Sequence, residues 1–163
     1  MRNGRQRGFT YLALLAAVAA LGWGAAWVGE TWSIAAQRDR EAELVWIGEQ
    51  YRRAIGLYYQ RTPGAAKRYP ERLEDLLEDK RYLAPERYLR RIYRDPMTGR
   101  SEWGLVRSPE GGIMGVHSLS ERTSIRKANF GNNIKGFHGA ARVSDWRFVY
   151  EAPQPVAARP SAR

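Results

Sequence analysis

The sequence lacks cysteine entirely, and it has only two histidines, His117 and His138, among its 163 residues. Without cysteine the chain forms no disulfide and offers no thiolate to a metal, so packing and hydrogen bonds must hold the fold. Two histidines without clustered carboxylates do not make a zinc site. The sequence also has no Gly-x-Ser-x-Gly elbow, phosphate-binding loop or dinucleotide fingerprint. We therefore expect a noncatalytic protein with no metal and no cofactor.

Charged residues of either sign are absent from Phe9 to Gly29, directly after a short segment that contains Arg2, Arg5 and Arg7. A membrane-spanning helix takes about 20 predominantly apolar residues, and this run is of that length. Because positively charged flanks stay on the cytoplasmic side, the pattern predicts a single-pass protein of the bacterial inner membrane. Its N-terminus would be cytoplasmic and its C-terminal head periplasmic.

The start of this run resembles the type IV prepilin signal, in which a basic leader ends in glycine and phenylalanine follows. The resemblance implies that residues 1–8 are a leader, that prepilin peptidase cleaves after Gly8, and that Phe9 becomes the methylated N-terminus. The family usually carries glutamate at the fifth mature position, where this chain has Ala13. Two alternatives stay open, a plain signal anchor and ordinary secretion with cleavage after Ala17-Val18-Ala19.

A long helix is predicted to continue past the run, because no proline occurs from Glu30 to Tyr59. Apolar residues recur there at steps of three and four, which places them on one helix face. These residues are Leu44, Ile47, Tyr51, Ile55 and Tyr58. We predict a transmembrane and assembly helix over 9–29 and its periplasmic continuation over 30–62, with a stop at Thr62-Pro63-Gly64. Two helices with a break near Gly29 or Ser33 are the alternative.

Small residues repeat every fourth position within the run, at Ala16, Ala20 and Gly24. Such spacing lets neighbouring helices approach closely, although an alanine-rich segment also produces it by chance. Together with Phe9 and Ala13, these residues define the surface that we expect to pack against other subunits.

The head is predicted to occupy residues 63–151 and to contain a short helix followed by a small sheet. The predicted elements are a helix over 69–77 and strands over 102–107, 112–118 and 145–151. Between them, Asp95, Pro96 and Gly99 predict a turn, because aspartate initiates it, proline fixes φ and glycine accepts a positive φ. The sequence thus predicts an α+β fold in which a long N-terminal helix packs on a small antiparallel sheet.

The order of these parts resembles the major, G-type pseudopilin of type II secretion systems. The matching stretches are Tyr69-Pro70, Leu73–Leu77 and Tyr93–Pro96. The resemblance implies a pilin-like fold and a structural role in a type II secretion or related type IV filament. The implied partners are prepilin peptidase, other pilin or pseudopilin subunits and the inner-membrane assembly platform. Ala13 in place of the usual glutamate favours a minor, tip-located or noncanonical subunit.

A long basic loop is predicted over 119–144, where Glu121 is the only acidic residue. Because calcium prefers several carboxylate oxygens, we predict that this loop lacks the calcium site of G-type heads. Its basic residues are Arg122, Arg126, Lys127, Lys135 and Arg142. With Phe130 and Phe137 among them, an alternative function is a minor or DNA-uptake-type pilin that binds nucleic acid through this loop. Residues 152–163 are predicted to be a disordered tail.

Overall fold

The computed structural model describes residues 6–127, 137 and 139–153, but not the side chains of 6–9, 22 and 24–31. The described chain is α+β, as predicted. Its regular elements are helix α1 (Gln6–Gln60) and strands β1 (Gly104–Arg107), β2 (Ile113–His117) and β3 (Phe148–Val149). Two short 3₁₀ helices, Leu73–Leu76 and Val143–Asp145, complete them. Most of the predicted tail, residues 154–163, lies outside the described residues.

The chain divides into two compact units, Met1–Asp39 and Arg40–Arg163. In the described part of the first unit every residue is helical. Among the residues that the structure describes, no helix reaches the length and apolar character that a membrane crossing requires, about 20 predominantly apolar residues. This finding contradicts the predicted single-pass location in the inner membrane, with its periplasmic head and transmembrane helix, and we withdraw that prediction.

The second unit folds around the apolar face of α1, as the spacing predicted. Leu44, Ile47, Tyr51, Ile55 and Tyr58 are all buried. Each large apolar side chain that is removed from water contributes about 1.5–3 kcal/mol. The five buried side chains of α1 form one core with aromatic and aliphatic residues of the sheet and its connections. Those partners include Trp103, Ile113, Val116, Phe137, Val143, Trp146 and Phe148.

Two glycines in α1 let β3 and the residue that follows it approach the helix closely. A Cβ atom at Gly48 would lie 2.3 Å from Cγ of the Phe148 ring, and one at Gly56 would lie 2.7 Å from Cδ2 of Tyr150. Glycine in a helix interior costs about 1 kcal/mol relative to alanine. The close packing of the two aromatic rings explains why glycine nevertheless occupies these positions.

The three predicted strands are present but shorter than predicted. They form one antiparallel sheet in the order β1-β2-β3, with Gly104 opposite His117 and Val116 opposite Phe148. A bulge between Val106 and Arg107 precedes the hairpin. The third strand has only two residues because the chain before it turns through a 3₁₀ helix, Val143–Asp145, which places Trp146 in the core.

The short helix predicted over 69–77 is reduced to the 3₁₀ turn Leu73–Leu76. The backbone before this turn makes other hydrogen bonds. The Asp75 carboxylate accepts the N–H groups of Glu71 and Arg72 at 3.2 and 3.0 Å, and the Pro70 carbonyl accepts the N–H of Ile113 at 2.8 Å. Arg72, directly before the turn, is extended with φ −132° and ψ 155°, which a helix through this residue would not allow.

Cationic side chains bind carbonyl oxygens at the C-terminal end of α1, an arrangement that the helix dipole favours. Lys67 donates to the carbonyl oxygens of Gln60 and Thr62, both at 3.0 Å. The Arg81 guanidinium donates to the Tyr58 carbonyl at 3.1 Å and lies 3.6 Å from the centre of the Tyr58 ring. Helix α1 therefore ends just before the predicted stop at Thr62-Pro63-Gly64.

Asp79 holds Arg81 in this position and makes the stability of the fold depend on pH. Burial alone would raise the pKa of Asp79, but hydrogen bonds from Arg81 and from the Tyr88 hydroxyl outweigh it and lower the pKa below its usual range. A carboxyl with a lowered folded-state pKa adds stability above its unfolded pKa, about 3.9, and loses it as pH falls through the folded value.

We expect the substitution Asp79→Asn to destabilise the second unit at pH 7 by about 3 kcal/mol, because it leaves the Arg81 charge partly buried and unpaired. Below about pH 4 the difference from the unsubstituted protein should shrink, because Asp79 of the unfolded chain takes up a proton there and the folded carboxyl follows only at a lower pH. Urea unfolding between pH 2.5 and pH 7 measures both effects. Glu110→Gln, at an exposed position, is the control, and a difference that stays constant with pH would contradict the assignment.

Candidate assembly surface

The first unit exposes large apolar side chains along α1. We call this set, Tyr11 to Trp23, the N-terminal apolar surface. Its exposed members are Tyr11, Leu12, Leu14, Leu15, Val18, Leu21 and Trp23, and Trp23 is 81% exposed. A helix that is apolar on most of its circumference is normally covered by other helices, and contiguous exposed apolar patches mark interaction sites.

The predicted small residues lie on one side of this surface. At 100° per residue, Ala13, Ala16, Ala20 and Gly24 fall within one third of the helix circumference, while Leu14, Val18 and Leu21 project from the other side. Ala13, Ala16 and Ala20 are exposed. Gly8, Phe9 and Gly24 belong to α1 by backbone, but their side chains lie outside the described residues.

The predicted turn at Asp95 is present and buried. The Asp95 carbonyl accepts the N–H of Gly99 at 2.7 Å, and Gly99 has a φ of 73°. The Asp95 carboxylate accepts the N–H of Met97 at 2.8 Å and the hydroxyls of Thr98 and Ser118 at 3.0 and 2.7 Å. Because Asp95 is fully buried, it joins the Pro96 turn to the end of β2 and offers no surface to a ligand.

The two ends of the predicted basic loop are tied together by backbone pairing. Thr123 pairs with Arg142, and the N–H of Val143 donates to the Arg122 carbonyl at 3.0 Å. Arg142 forms an exposed ion pair with Glu121 at 2.5 Å. Lys127 is exposed at the end of the described segment, whereas Lys135 lies outside the described residues. The structure thus places Arg122 and Arg142 on paired segments.

A buried carboxylate that sequence reasoning missed anchors this loop to α1. Glu41 is 1% exposed, and its two oxygens accept the N–H groups of Ile125 and Arg126, each at 2.9 Å. A signal was present in the sequence, since Glu41 lies three residues before Leu44 on the same helix face. An acidic residue on an apolar helix face calls for a buried donor.

One aromatic side chain that the nucleic-acid alternative relied on is not accessible. Phe137 is 1% exposed, lies 5.8 Å from the Trp146 ring in a stacked geometry and meets Phe148 edge-on at 5.1 Å. A ring enclosed in the core does not stack on a nucleotide base. Phe130, the other aromatic residue of that alternative, lies outside the described residues.

No protein-family model, curated protein or solved structure matches this chain. The resemblance to pilins and pseudopilins therefore stays a prediction, and so do the leader, the processing site and the predicted partners.

Within the described ranges, no group of three or more histidine, aspartate or glutamate side chains is arranged to hold a metal ion. His117 is involved in sheet packing instead. Its ring lies against Gly104 on the neighbouring strand, where an added Cβ would be 2.2 Å from the imidazole, and its Nδ1 is 2.9 Å from the Ser118 carbonyl. His138 lies outside the described residues. The predicted absence of a metal and a cofactor stays a prediction.

Proposed function

We propose that the chain is a noncatalytic, pilin-like structural subunit that assembles with other subunits through helix α1 and carries a folded head. The observation that supports the proposal most is the N-terminal apolar surface. Its bulky side chains are exposed in the single chain, and burying them against neighbouring helices would be strongly favourable. The uncharged run from Phe9 to Gly29 has no evident use in a protein that stays a monomer.

The head fits a structural role because its buried carboxylates form hydrogen bonds within the head. The buried carboxylates Glu41, Asp79 and Asp95 are engaged by backbone or side-chain donors within the head. The sequence further favours a minor or tip-located subunit over the repeating one, because Ala13 cannot supply the carboxylate that the family usually carries at this position.

Processing at Gly8-Phe9 is tested by N-terminal mass spectrometry of the protein from its native host. We expect the mature chain to begin with N-methyl-Phe9. A chain that begins at Met1 would contradict processing, and one that begins at Ala20 would indicate ordinary secretion.

Assembly through α1 is tested by disulfide cross-linking, for which the chain is well suited because it has no native cysteine. We expect Ala16→Cys or Ala20→Cys, combined with cysteines at the matching helix positions of co-expressed candidate subunits, to give cross-linked species under mild oxidation. Ser101→Cys, at an exposed head position, is the control and should give much less. Equal cross-linking at all three positions, or none at Ala16 and Ala20, would contradict assembly through this helix.

A further inference from the structure

A groove of about 610 Å³ lies on the head between the segment before the first 3₁₀ helix and the β1–β2 hairpin. One wall carries Arg68, Glu71 and Arg72, and the other carries Arg107, Ser108 and Glu110. We infer that this groove binds a carboxylate-bearing peptide segment of a partner protein.

The two walls of the groove are fixed to each other. The N–H of Ile113 donates to the Pro70 carbonyl at 2.8 Å, and a Cβ atom at Gly112 would lie 2.5 Å from the Tyr69 Cβ. The hairpin is closed by the N–H of Ser108, which donates to the Gly112 carbonyl at 2.8 Å. A groove with walls fixed in this way loses little conformational entropy when a ligand binds.

The charges of the three arginines stay unpaired within the described residues, although each arginine makes at least one hydrogen bond that holds it in the groove wall. The N–H of Arg68 donates to the Thr62 hydroxyl at 3.4 Å, and the N–H of Arg72 donates to Asp75. Arg107 Nη1 donates to the Gly111 carbonyl at 2.9 Å. The other N–H groups of this guanidinium remain available to a ligand. None of the four ion pairs among the described residues includes an arginine of the groove. Guanidinium groups of this kind bind carboxylates with two parallel hydrogen bonds.

Ser108 adds a polar group without a partner to the residues of the groove wall. Its Oγ is buried and has no hydrogen-bond partner among the described residues, although the residue lines the groove. Burying a hydroxyl without a partner is unfavourable. A ligand oxygen in the groove would give this hydroxyl an acceptor after a rotation about χ1.

The mixed charge of the lining favours a peptide over other anions. Glu71 and Glu110 stand beside the three arginines, so a polyanion such as nucleic acid would be repelled at two points. A peptide presents isolated carboxylates together with amide N–H groups that the glutamates accept. The volume also lies in the range of about 300–1,000 Å³ that accommodates ligands much larger than one inorganic anion.

The test uses a fluorescein-labelled peptide in which two glutamates are separated by several glycine and serine residues, titrated with the full chain while fluorescence anisotropy is recorded. We expect saturable binding that weakens at least tenfold in Arg72→Gln/Arg107→Gln and in Arg68→Gln/Arg72→Gln. The second variant leaves the hairpin bond of Arg107 intact. The matched control is Arg90→Gln/Arg147→Gln, which removes the same charge at two exposed positions outside the groove and should weaken binding less than threefold.

Four outcomes would overturn the inference. They are no binding of the peptide, equal weakening in the groove and control variants, complete displacement of the peptide by an equal concentration of inorganic phosphate, and tighter Arg72-dependent binding of an oligothymidylate. Near-UV circular dichroism of each variant verifies that the head is folded. Because the groove belongs to the head, its failure would leave assembly through α1 untouched, and failed cross-linking of α1 would leave the groove untouched.

Discussion

Gly48→Ala should destabilise the head by about 3 kcal/mol, although alanine is the better helix former by about 1 kcal/mol. The added methyl group would lie 2.3–2.4 Å from three carbons of the Phe148 ring, far inside van der Waals contact. The ring cannot move aside easily, because Phe148 is buried and meets Phe137 edge-on at 5.1 Å. Urea unfolding at pH 7, followed by near-UV circular dichroism, measures the change.

Two further variants separate a steric clash from a general loss of helix stability. In a Phe148→Ala background, Gly48→Ala should cost less than 1 kcal/mol, because alanine at 148 lacks the Cγ and Cδ atoms that the new methyl group would meet, and the helix preference for alanine returns. Gly56→Ala faces Tyr150, which is only partly buried, and should cost less than Gly48→Ala. Additive costs of Gly48→Ala and Phe148→Ala would show that the close approach of helix and ring is not the cause.

The features that depend on local chemistry could be predicted from the sequence. The buried face of α1 follows from apolar residues at helical spacing, and all five predicted residues, from Leu44 to Tyr58, are buried. The turn at Asp95 follows from residue types that each satisfy one requirement of the backbone, and Gly99 has the positive φ that its position required. The three strands were also found in their predicted order.

The features that depend on distant parts of the chain could not be predicted. The close approach of Gly48 and Gly56 to the rings of Phe148 and Tyr150 joins positions that are 100 and 94 residues apart in the chain. The 3₁₀ turn replaced a predicted helix because Ile113, on β2, takes the Pro70 carbonyl. The predicted membrane span rested on the uncharged run from Phe9 to Gly29 and the arginines before it, and no spanning helix was found among the described residues. Glu41 received no role because its donors belong to a loop far along the chain.

The same chemical change, carboxylate to carboxamide, should affect the two buried acids Glu41 and Asp95 very differently. We expect Glu41→Gln to cost about 3 kcal/mol, because both Glu41 oxygens accept backbone N–H groups and an amide can accept only one of them. The amide NH₂ would then face the second backbone N–H, and two donors would point at each other in a buried site. A backbone donor cannot reverse its direction.

Asp95→Asn should cost about 1 kcal/mol or less, because two of the three donors to that carboxylate are hydroxyls. The amide oxygen keeps the N–H of Met97, and the hydroxyls of Thr98 and Ser118 can rotate to accept from the amide NH₂. Asp95→Ala, which removes the acceptor altogether, should cost about 3 kcal/mol and verifies that the site matters. Urea unfolding of the three variants under identical conditions decides the comparison. Equal costs for Glu41→Gln and Asp95→Asn would mean that loss of the negative charge, and not the direction of the donors, determines the stability of both sites.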